Sequence, residues 1–391
     1  MTRRQPVGWL LCAALLPLAA AAQPTPEQQF NAAVELLRAG QSQNALTALE
    51  SLSRREPDFR VAQLLHGELL AALSGTGKAG LVATRANADP RVADLAEEAR
   101  IRLASDQAVP PTGSVPNALL QLADNYAHAI VVDLSRARLY LMQNQNGKLE
   151  VLRHHYAAMG KNGARKQVTG DNRTPVGVYQ ITGWIGDATL PELYGSGALP
   201  LDYPNLWDRF QRRTGSGIWL HGVPRDTHSR PPRSSEGCVT MANTDLITLQ
   251  PFAQQGRTPV VLSDELEWVP AETVRADRDA LLARVEAWRA AWASRDTDAY
   301  LAYYAEDFAT LAMGRAGFAA HKRRVNAAKK FIEIDLRDVS LFRYPGAESP
   351  LVMAEFTMDY RSDNYNVIAQ KQQFWKRGAN GEWLIFREEN R

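Results

Sequence analysis

Two short motifs carry the residue types of a cysteine nucleophile and its base. His221 ends the apolar run 218–221, and Cys238 follows Gly237 at the end of the loop 233–238. A thiol attacks a carbonyl well only as a thiolate, and a free cysteine, with a pKa of about 8.5, is mostly protonated at neutral pH. A nearby imidazole can take the proton and hold an ion pair with the thiolate. The motifs therefore predict nucleophilic catalysis with Cys238 as nucleophile and His221 as general base.

The loop before Cys238 has the composition of an oxyanion-binding turn. It is rich in serine and glycine, and such a loop can aim backbone N–H groups at an oxygen that gains negative charge. Gly237 has no Cβ, so the backbone can approach a substrate closely at that position. We therefore expect the backbone at Gly237 to form part of an oxyanion hole.

The residues around these motifs predict a mainly β domain with a few inserted helices. Short β-type runs occupy 129–133 and 139–142, a further strand follows 174–179, and 217–221 is a strand that ends at His221. Capping signals at 243–245 predict a helix just after Cys238. We place this domain at residues 128–264.

The region before it is predicted to be helical. Apolar residues between 25 and 107 recur at helical spacing, and Glu56-Pro57 and Asp89-Pro90 each predict the end of a helix. The spacing of these stops loosely resembles tetratricopeptide-type repeats, although a simple helical packing domain fits better. Such a region could bind a protein partner or form a homodimer. A linker rich in proline and glycine is expected at 108–127.

The C-terminal region, residues 272–391, has an α+β pattern. An amphipathic helix over 274–292 precedes long alternating strands at 331–342, 351–360 and 366–375, and a last strand at 383–387. This order resembles the nuclear-transport-factor-2-like (NTF2-like) fold, a cone that often encloses a pocket. The fold class expected for the whole chain is therefore a helical region, a mainly β domain and an NTF2-like domain.

The first 22 residues have the pattern of a secretory signal peptide. A basic start precedes a largely apolar run over 7–22, which is shorter than the roughly 20 residues that a membrane anchor needs. We expect cleavage near Ala22 and an exported, periplasmic protein with no integral membrane segment. Cys12 would leave with the signal, so that Cys238 remains as a free thiol.

The ordered motifs resemble the catalytic domain of the L,D-transpeptidase (YkuD-like) family. His221-Gly222 and Ser235-Glu236-Gly237-Cys238 are similar to that family's H-G and S-x-G-C signature. Upstream, the segments 160–163, 170–179 and 203–205 look like the family's earlier blocks, in the same order.

The resemblance implies a role for each matching residue. Cys238 would open the peptide bond between the third and fourth residues of a peptidoglycan stem and release the terminal D-alanine, with His221 as general base. Ser235 would steady the imidazole or the loop. The acyl group would pass to an amine, which gives a cross-link, or to water, which gives a shortened stem; no cofactor or metal is implied. The residues expected to bind substrate are Tyr203, Trp219, Gly222 and Arg233.

One position departs from the family pattern. Many members have arginine two residues after the cysteine, where it can receive a substrate carboxylate by bidentate pairing, and this chain has Thr240 there. Arg233, Arg225 or Arg230 could compensate. The peptidoglycan carboxypeptidases that shape curved and helical cells show a similar departure, together with a helical front and an NTF2-like tail. This chain resembles them in all three features. We predict L,D-transpeptidation, with L,D-carboxypeptidase activity as the alternative.

Other classes of function fit the sequence less well. A net charge of +2 argues against nucleic acid as the main partner, because no strongly basic face is implied. A zinc site made of His221, His228 and Cys238 lacks the short paired spacing that zinc ligands usually have. A scaffold that binds peptidoglycan without catalysis is the alternative of another class, and the intact His221 and Cys238 argue against it.

Overall fold

The computed structural model describes residues 24–75, 90–104 and 110–390. The predicted signal peptide and Cys12 lie outside these ranges. The described residues form an α-helical region, a mainly β domain and a C-terminal α+β domain, in that order. This arrangement confirms the fold class predicted from the sequence. In this part of the chain, no helix is long and apolar enough to cross a membrane.

The helical region packs short helices around a small apolar core. Its first helix begins with a capping box, in which the Thr25 hydroxyl accepts from the Gln28 N–H and the Gln28 side chain accepts from the Thr25 N–H. The second helix ends just before Pro57, as the sequence predicted. The core contains Phe30, Leu49, Leu52 and Phe59. The helices are Pro26–Arg38, Ser42–Arg55, Arg60–Leu73 and Pro90–Leu103.

A five-stranded sheet forms the centre of the β domain. Strands 128–133 and 259–263 are parallel neighbours in its middle and are buried on both faces, which explains their continuous apolar sequence. One face packs beneath the catalytic motifs and the other packs toward the C-terminal domain. In spatial order the strands are Lys148–Tyr156, Arg138–Gln145, His128–Asp133, Pro259–Ser263 and Gly177–Gln180.

A smaller sheet carries the two catalytic motifs. Strand Trp219–His221 lies between Gly197–Pro200, which is antiparallel to it, and Val239–Thr240, which is parallel to it. The register pairs His221 with Thr240. Cys238 therefore sits at the entrance of the strand that runs beside His221. The other short elements of the domain are Met159–Gly160, Ile185–Gly186, Leu206–Phe210, Arg233–Ser235 and Asn243–Leu249.

The C-terminal domain packs a mostly antiparallel sheet against a long helix. Trp288, on that helix, is fully buried and donates a hydrogen bond from Nε1 to the Tyr304 hydroxyl at 3.0 Å. The helices are Ala271–Ala293, Thr297–Leu301 and Arg315–Ala327. The strands are Tyr304–Ala309, Ile332–Arg343, Leu351–Ser362, Asn366–Arg377 and Trp383–Asn390.

The segment predicted as a linker also contributes strands. Ser114–Pro116 pairs with Trp268–Pro270, and Leu119–Gln121 extends the sheet of the C-terminal domain beside strand 332–343. Across the same boundary, Asn205 donates from Nδ2 to the Tyr344 hydroxyl at 2.8 Å. The chain just before the β domain is therefore built into the last domain, which holds the two domains against each other.

A buried ion cluster joins the helical region to the β domain. Arg102 contacts Glu27 and lies 2.9 Å from Glu98, and Arg138 of the central sheet lies 3.0 Å from the other oxygen of Glu27. All four side chains are almost fully buried. Burial alone would raise the pKa of Glu27, but the guanidinium groups of Arg102 and Arg138 hold it at about 2. The cluster is thus charged on both sides of the domain boundary.

Candidate active site

The Cys238 thiol is held against the strand that ends at His221. The backbone N–H of Trp219 donates to Sγ, and the thiol donates to the carbonyl oxygen of Gly217 at 3.4 Å. Both contacts come from the segment that leads to His221. They hold the thiol beside the strand that carries the imidazole, and the parallel pairing of the two strands aligns their backbones. The structure thus brings the two predicted catalytic residues together.

The hydrogen bonding of His221 defines its tautomer. Nδ1 lies 2.7 Å from the carbonyl oxygen of Gly222, which accepts hydrogen bonds only. Nδ1 therefore carries the proton, and Nε2 keeps its lone pair. A neutral imidazole in this form is a ready proton acceptor, which is the role of a general base.

Both predicted catalytic groups are neutral at rest. Burial lowers the pKa of His221 to about 4, with the Arg230 guanidinium acting in the same direction. Burial raises the pKa of the Cys238 thiol to about 11, despite the Trp219 N–H that favours the thiolate. Desolvation disfavours both charged forms, so a thiolate–imidazolium pair is not favoured before the substrate reacts.

The neutral pair leads to a prediction about alkylation. Reaction of Cys238 with iodoacetamide should be slow at pH 7 and should keep accelerating up to pH 10, because the thiolate fraction grows until the pH reaches the thiol pKa of about 11. Mass spectrometry of the labelled protein at each pH measures the rate. A rate that levels off near pH 7 would instead indicate a resting ion pair.

Ser235 and Gly237 shape the loop that leads to the thiol. The Ser235 hydroxyl donates to the Cys238 carbonyl at 2.6 Å and accepts from the Gly237 N–H at 3.1 Å, so Ser235 steadies the loop rather than the imidazole. Gly237 has a φ of 127°, and a Cβ there would lie 2.8 Å from the Arg173 carbonyl oxygen. Only glycine fits this position. Its N–H donates to the Ser235 hydroxyl, so it could bind an oxyanion only after that hydrogen bond breaks. The oxyanion role of Gly237 stays a prediction.

A short segment covers the imidazole. Tyr194 packs edge-on against His221, with ring centroids 4.9 Å apart, and also contacts Trp219. Next to it, the Asn243 side chain accepts from the Ser196 N–H at 2.9 Å. Nothing in the sequence predicted the contact between Tyr194 and His221.

Gly222 and Trp219 lie next to His221 on the same strand end. A Cβ on Gly222 would lie 2.1 Å from Asn243 Oδ1, so close packing explains the glycine, and its carbonyl sets the His221 tautomer. Trp219 is partly exposed beside Tyr194. A role for either residue in substrate binding stays a prediction.

Tyr203 has a different environment from the one expected. Its side chain is only 6% exposed, and its hydroxyl donates to the Thr214 carbonyl at 3.0 Å. The ring belongs to the apolar core beneath the site. Packing therefore already uses both its ring and its hydroxyl, and a role for Tyr203 in substrate binding stays a prediction.

The basic side chains near the thiol are Lys166 and Arg230. Both favour the thiolate of Cys238, although burial has the larger effect on its pKa. Lys166 forms an ion pair with Asp171, at 2.7 Å. Arg233 is exposed on its strand and is not among the groups that shift the pKa of the Cys238 thiol. Thr240 is buried, as its pairing with His221 requires. Lys166 was missed from the sequence, because nothing in its local pattern marks it.

Metal binding has no support in this geometry. No group of three or more histidine, cysteine, aspartate or glutamate side chains is arranged to hold an ion within the described ranges. His228 stacks on Phe59 of the helical region, with ring centroids 3.9 Å apart. It therefore serves a domain contact.

A partly buried thiol lies next to the strand that ends in a neutral imidazole, a pairing suited to nucleophilic chemistry by a cysteine. Family comparison identifies the class of protein. Residues 127–262 match the L,D-transpeptidase catalytic domain (YkuD), and residues 280–389 match the Cds6 C-terminal NTF2-like domain. The chain thus carries an L,D-transpeptidase catalytic domain followed by an NTF2-like domain, which confirms the resemblance seen in the motifs.

Solved structures share this architecture. Bd1075 of Bdellovibrio bacteriovorus is 26% identical, with a TM-score of 0.61 over 71% of this chain and 98% of that one. The helical cell shape determining protein Pgp2 of Campylobacter jejuni is also 26% identical, with a TM-score of 0.60 over 70% of this chain and 95% of that one. No curated protein sequence matches.

Proposed function

We propose that this protein is a cysteine L,D-transpeptidase that acts on the peptide stems of peptidoglycan. One observation carries the proposal: within a domain that matches the L,D-transpeptidase family, Cys238 directly precedes the strand that pairs with the strand ending at His221. The free lone pair on Nε2 of His221 supports the role of general base. We further propose that the enzyme is exported and works in the periplasm, where its substrate lies.

The proposed reaction begins with transfer of the thiol proton to Nε2 of His221. Sγ bonds to the carbonyl carbon of the third stem residue, and the oxygen takes the negative charge while backbone N–H groups of the loop ending at Cys238 donate to it. The C–N bond to the fourth residue then breaks, and the imidazolium gives its proton to the departing amine. A thioester on Cys238 and free D-alanine result. An amine of a second stem attacks the thioester, forms the cross-link and restores the thiol.

Hydrolysis is the second candidate, and the domain architecture favours it. The likeness to Pgp2 extends over 70% of this chain, well beyond the catalytic domain, and Pgp2 determines helical cell shape. Water in place of the amine would make the protein an L,D-carboxypeptidase that trims tetrapeptide stems to tripeptides. A scaffold without catalysis is the alternative of another class, and it would give the thiol and imidazole no chemical role. The helical region remains a proposed surface for a protein partner or a second copy.

Product analysis tests these proposals. We expect the purified mature protein, incubated with disaccharide tetrapeptides, to release D-alanine, and mass spectrometry to identify the partner product. Cross-linked dimers would support transpeptidation, and tripeptide monomers alone would support the carboxypeptidase. If a refolded, alkylatable protein left the tetrapeptides unchanged, the enzymatic proposal would fail and the scaffold would be favoured.

A further inference from the structure

Segment 187–194 is the tip of a hairpin that folds back over His221. Strands 185–186 and 197–200 pair at the base of this hairpin. At its tip, the Tyr194 ring packs edge-on against the imidazole. The tip extends beyond the strand pairing, so its position over the imidazole depends on the contacts that its own side chains make.

Arg225 contacts both ends of this tip. Its guanidinium lies 2.6 Å from Oδ2 of Asp187 and 3.6 Å from Oε2 of Glu192, and its backbone N–H donates to Oε1 of Glu192 at 2.8 Å. Together these contacts form a clamp, and Glu192 stands only two residues before Tyr194. All three charged side chains are exposed. Because exposed ion pairs are individually weak, such a clamp can open and close.

The loop 225–231, which carries the clamp, is anchored on two sides. The Ser229 hydroxyl donates to Glu98 of the helical region at 2.6 Å. The Tyr156 hydroxyl, from the central sheet, donates to a backbone carbonyl of the same loop at 2.9 Å. Glu98 belongs to the buried ion cluster at the domain boundary. The clamp therefore starts from a fixed part of the molecule.

The imidazole of His221 needs a restraint of this kind. In the part of the chain that the structure describes, its ring makes one hydrogen bond, from Nδ1 to the carbonyl oxygen of the adjacent Gly222 at 2.7 Å. That bond sets the tautomer, but it comes from the next residue of the same strand end. The Tyr194 ring, with its centroid 4.9 Å from that of the imidazole, adds a restraint from another segment. Orientation matters because a general base must lie within hydrogen-bond reach of the proton that it takes.

We propose that Arg225 and Tyr194 are positioning residues for His221: Arg225 clamps the tip 187–194 over the imidazole, and the Tyr194 ring then holds the imidazole in its reactive orientation. Neither side chain exchanges a proton or binds substrate in this role. The inference rests on the proposed function for the reaction that the base serves, whereas the clamp is a property of the fold.

Carbethoxylation of His221 tests the clamp without any peptidoglycan. Diethyl pyrocarbonate transfers an ethoxycarbonyl group to a neutral imidazole and releases ethanol and carbon dioxide, and peptide mapping by mass spectrometry gives the rate at His221, which is only 3% exposed. Arg225→Glu should raise this rate about threefold, because repulsion from Asp187 and Glu192 favours the open tip. The triple variant that adds Asp187→Arg and Glu192→Arg should return it to the wild-type value.

The matched control is Arg257→Glu, the same change at an exposed arginine of the catalytic domain that forms no ion pair with the described residues. It should leave the rate at His221 unchanged. An unchanged rate in Arg225→Glu as well would overturn the clamp.

Ionic strength provides a second readout of the clamp. Salt screens exposed ion pairs, so the wild-type rate of carbethoxylation at His221 should rise about twofold between about 0.05 M and 0.5 M sodium chloride. The rate in Arg225→Gln should already be raised and should change little with salt. An equal response to salt in both proteins would contradict a clamp made of ion pairs.

Turnover of stem peptides tests whether the closed tip positions the base. Arg225→Glu should lower kcat about threefold with a smaller change in KM, and the triple variant should restore it. A higher kcat in Arg225→Glu would mean that the tip only limits access to the site, and positioning would be refuted. If the wild type turns over no stem while carbethoxylation responds as expected, the proposed function fails and the clamp remains.

Two changes at Tyr194 separate the effect of its ring from that of its hydroxyl. Tyr194→Phe keeps the edge contact with His221 and should retain at least about half of the wild-type kcat, whereas Tyr194→Ala should lower kcat at least about tenfold. Both variants should keep the wild-type thermal midpoint. An equal loss of kcat in the two variants would assign the effect to the hydroxyl and overturn positioning by the ring.

Discussion

Replacing Cys238 with alanine is expected to lower turnover of stem peptides by at least about four orders of magnitude, because no other group can form the acyl-enzyme. The fold should be unaffected, since the thiol is only partly buried and makes weak contacts with Gly217 and Trp219. Release of D-alanine and circular dichroism of the same sample measure the two properties.

Glu236→Gln is the matched control for this variant. The Glu236 side chain is 85% exposed, and its contact with Lys161 is a surface pair at 3.7 Å. Such pairs contribute little, so the variant should keep at least half of the wild-type activity. Cys238→Ala activity above about one per cent of wild type would mean that another residue carries the acyl group.

Replacing Arg102 with methionine is expected to destabilise the protein by about 3–5 kcal/mol. The change removes the shared partner of Glu27 and Glu98, both of which are almost fully buried, and leaves their charges poorly compensated. Urea denaturation followed by circular dichroism measures the loss. Arg54→Met, which breaks an exposed pair with Glu50, is the control and should change stability by less than about 1 kcal/mol.

The cluster also predicts how stability depends on pH. The folded pKa of Glu27, about 2, lies below the ordinary value of 4.5. Glu27 therefore contributes stability that is fully present above pH 4.5 and is lost as the pH falls from 4.5 towards 2. Glu27→Gln should remove this part of the acid dependence, so an identical acid profile for variant and wild type would contradict the assignment.

Local sequence patterns determined much of the architecture. The predicted tail strands at 351–360 and 366–375 differ from Leu351–Ser362 and Asn366–Arg377 only at their ends. Alternation of apolar and polar residues is a local signal, which is why it located them. The strand Leu119–Gln121 was assigned to a linker instead, because three residues carry no measurable period and their pairing partner lies more than 200 positions away.

Within the site, sequence located the candidate reactive groups, and tertiary structure set their state. His221 and Cys238 were recognisable because the proposed chemistry requires those residue types in ordered motifs. Their neutral resting forms could not be predicted, since burial depends on every segment that packs around them. The buried position of Tyr203 was unpredictable for the same reason, because an aromatic ring looks alike in sequence whether it lines a groove or a core.

The sequence by itself determined the candidate nucleophile and base, the loop glycine and the order of the three regions, because each rests on residue type or short-range periodicity. Only the tertiary structure decided which charges surround the thiol. Arg225, Arg230 and Arg233 are equivalent candidates along the chain. They differ once the loop is folded, because Arg225 is paired, Arg233 faces solvent and Arg230 is half-buried. Electrostatic interactions depend on distance and burial, and neither can be predicted from local sequence.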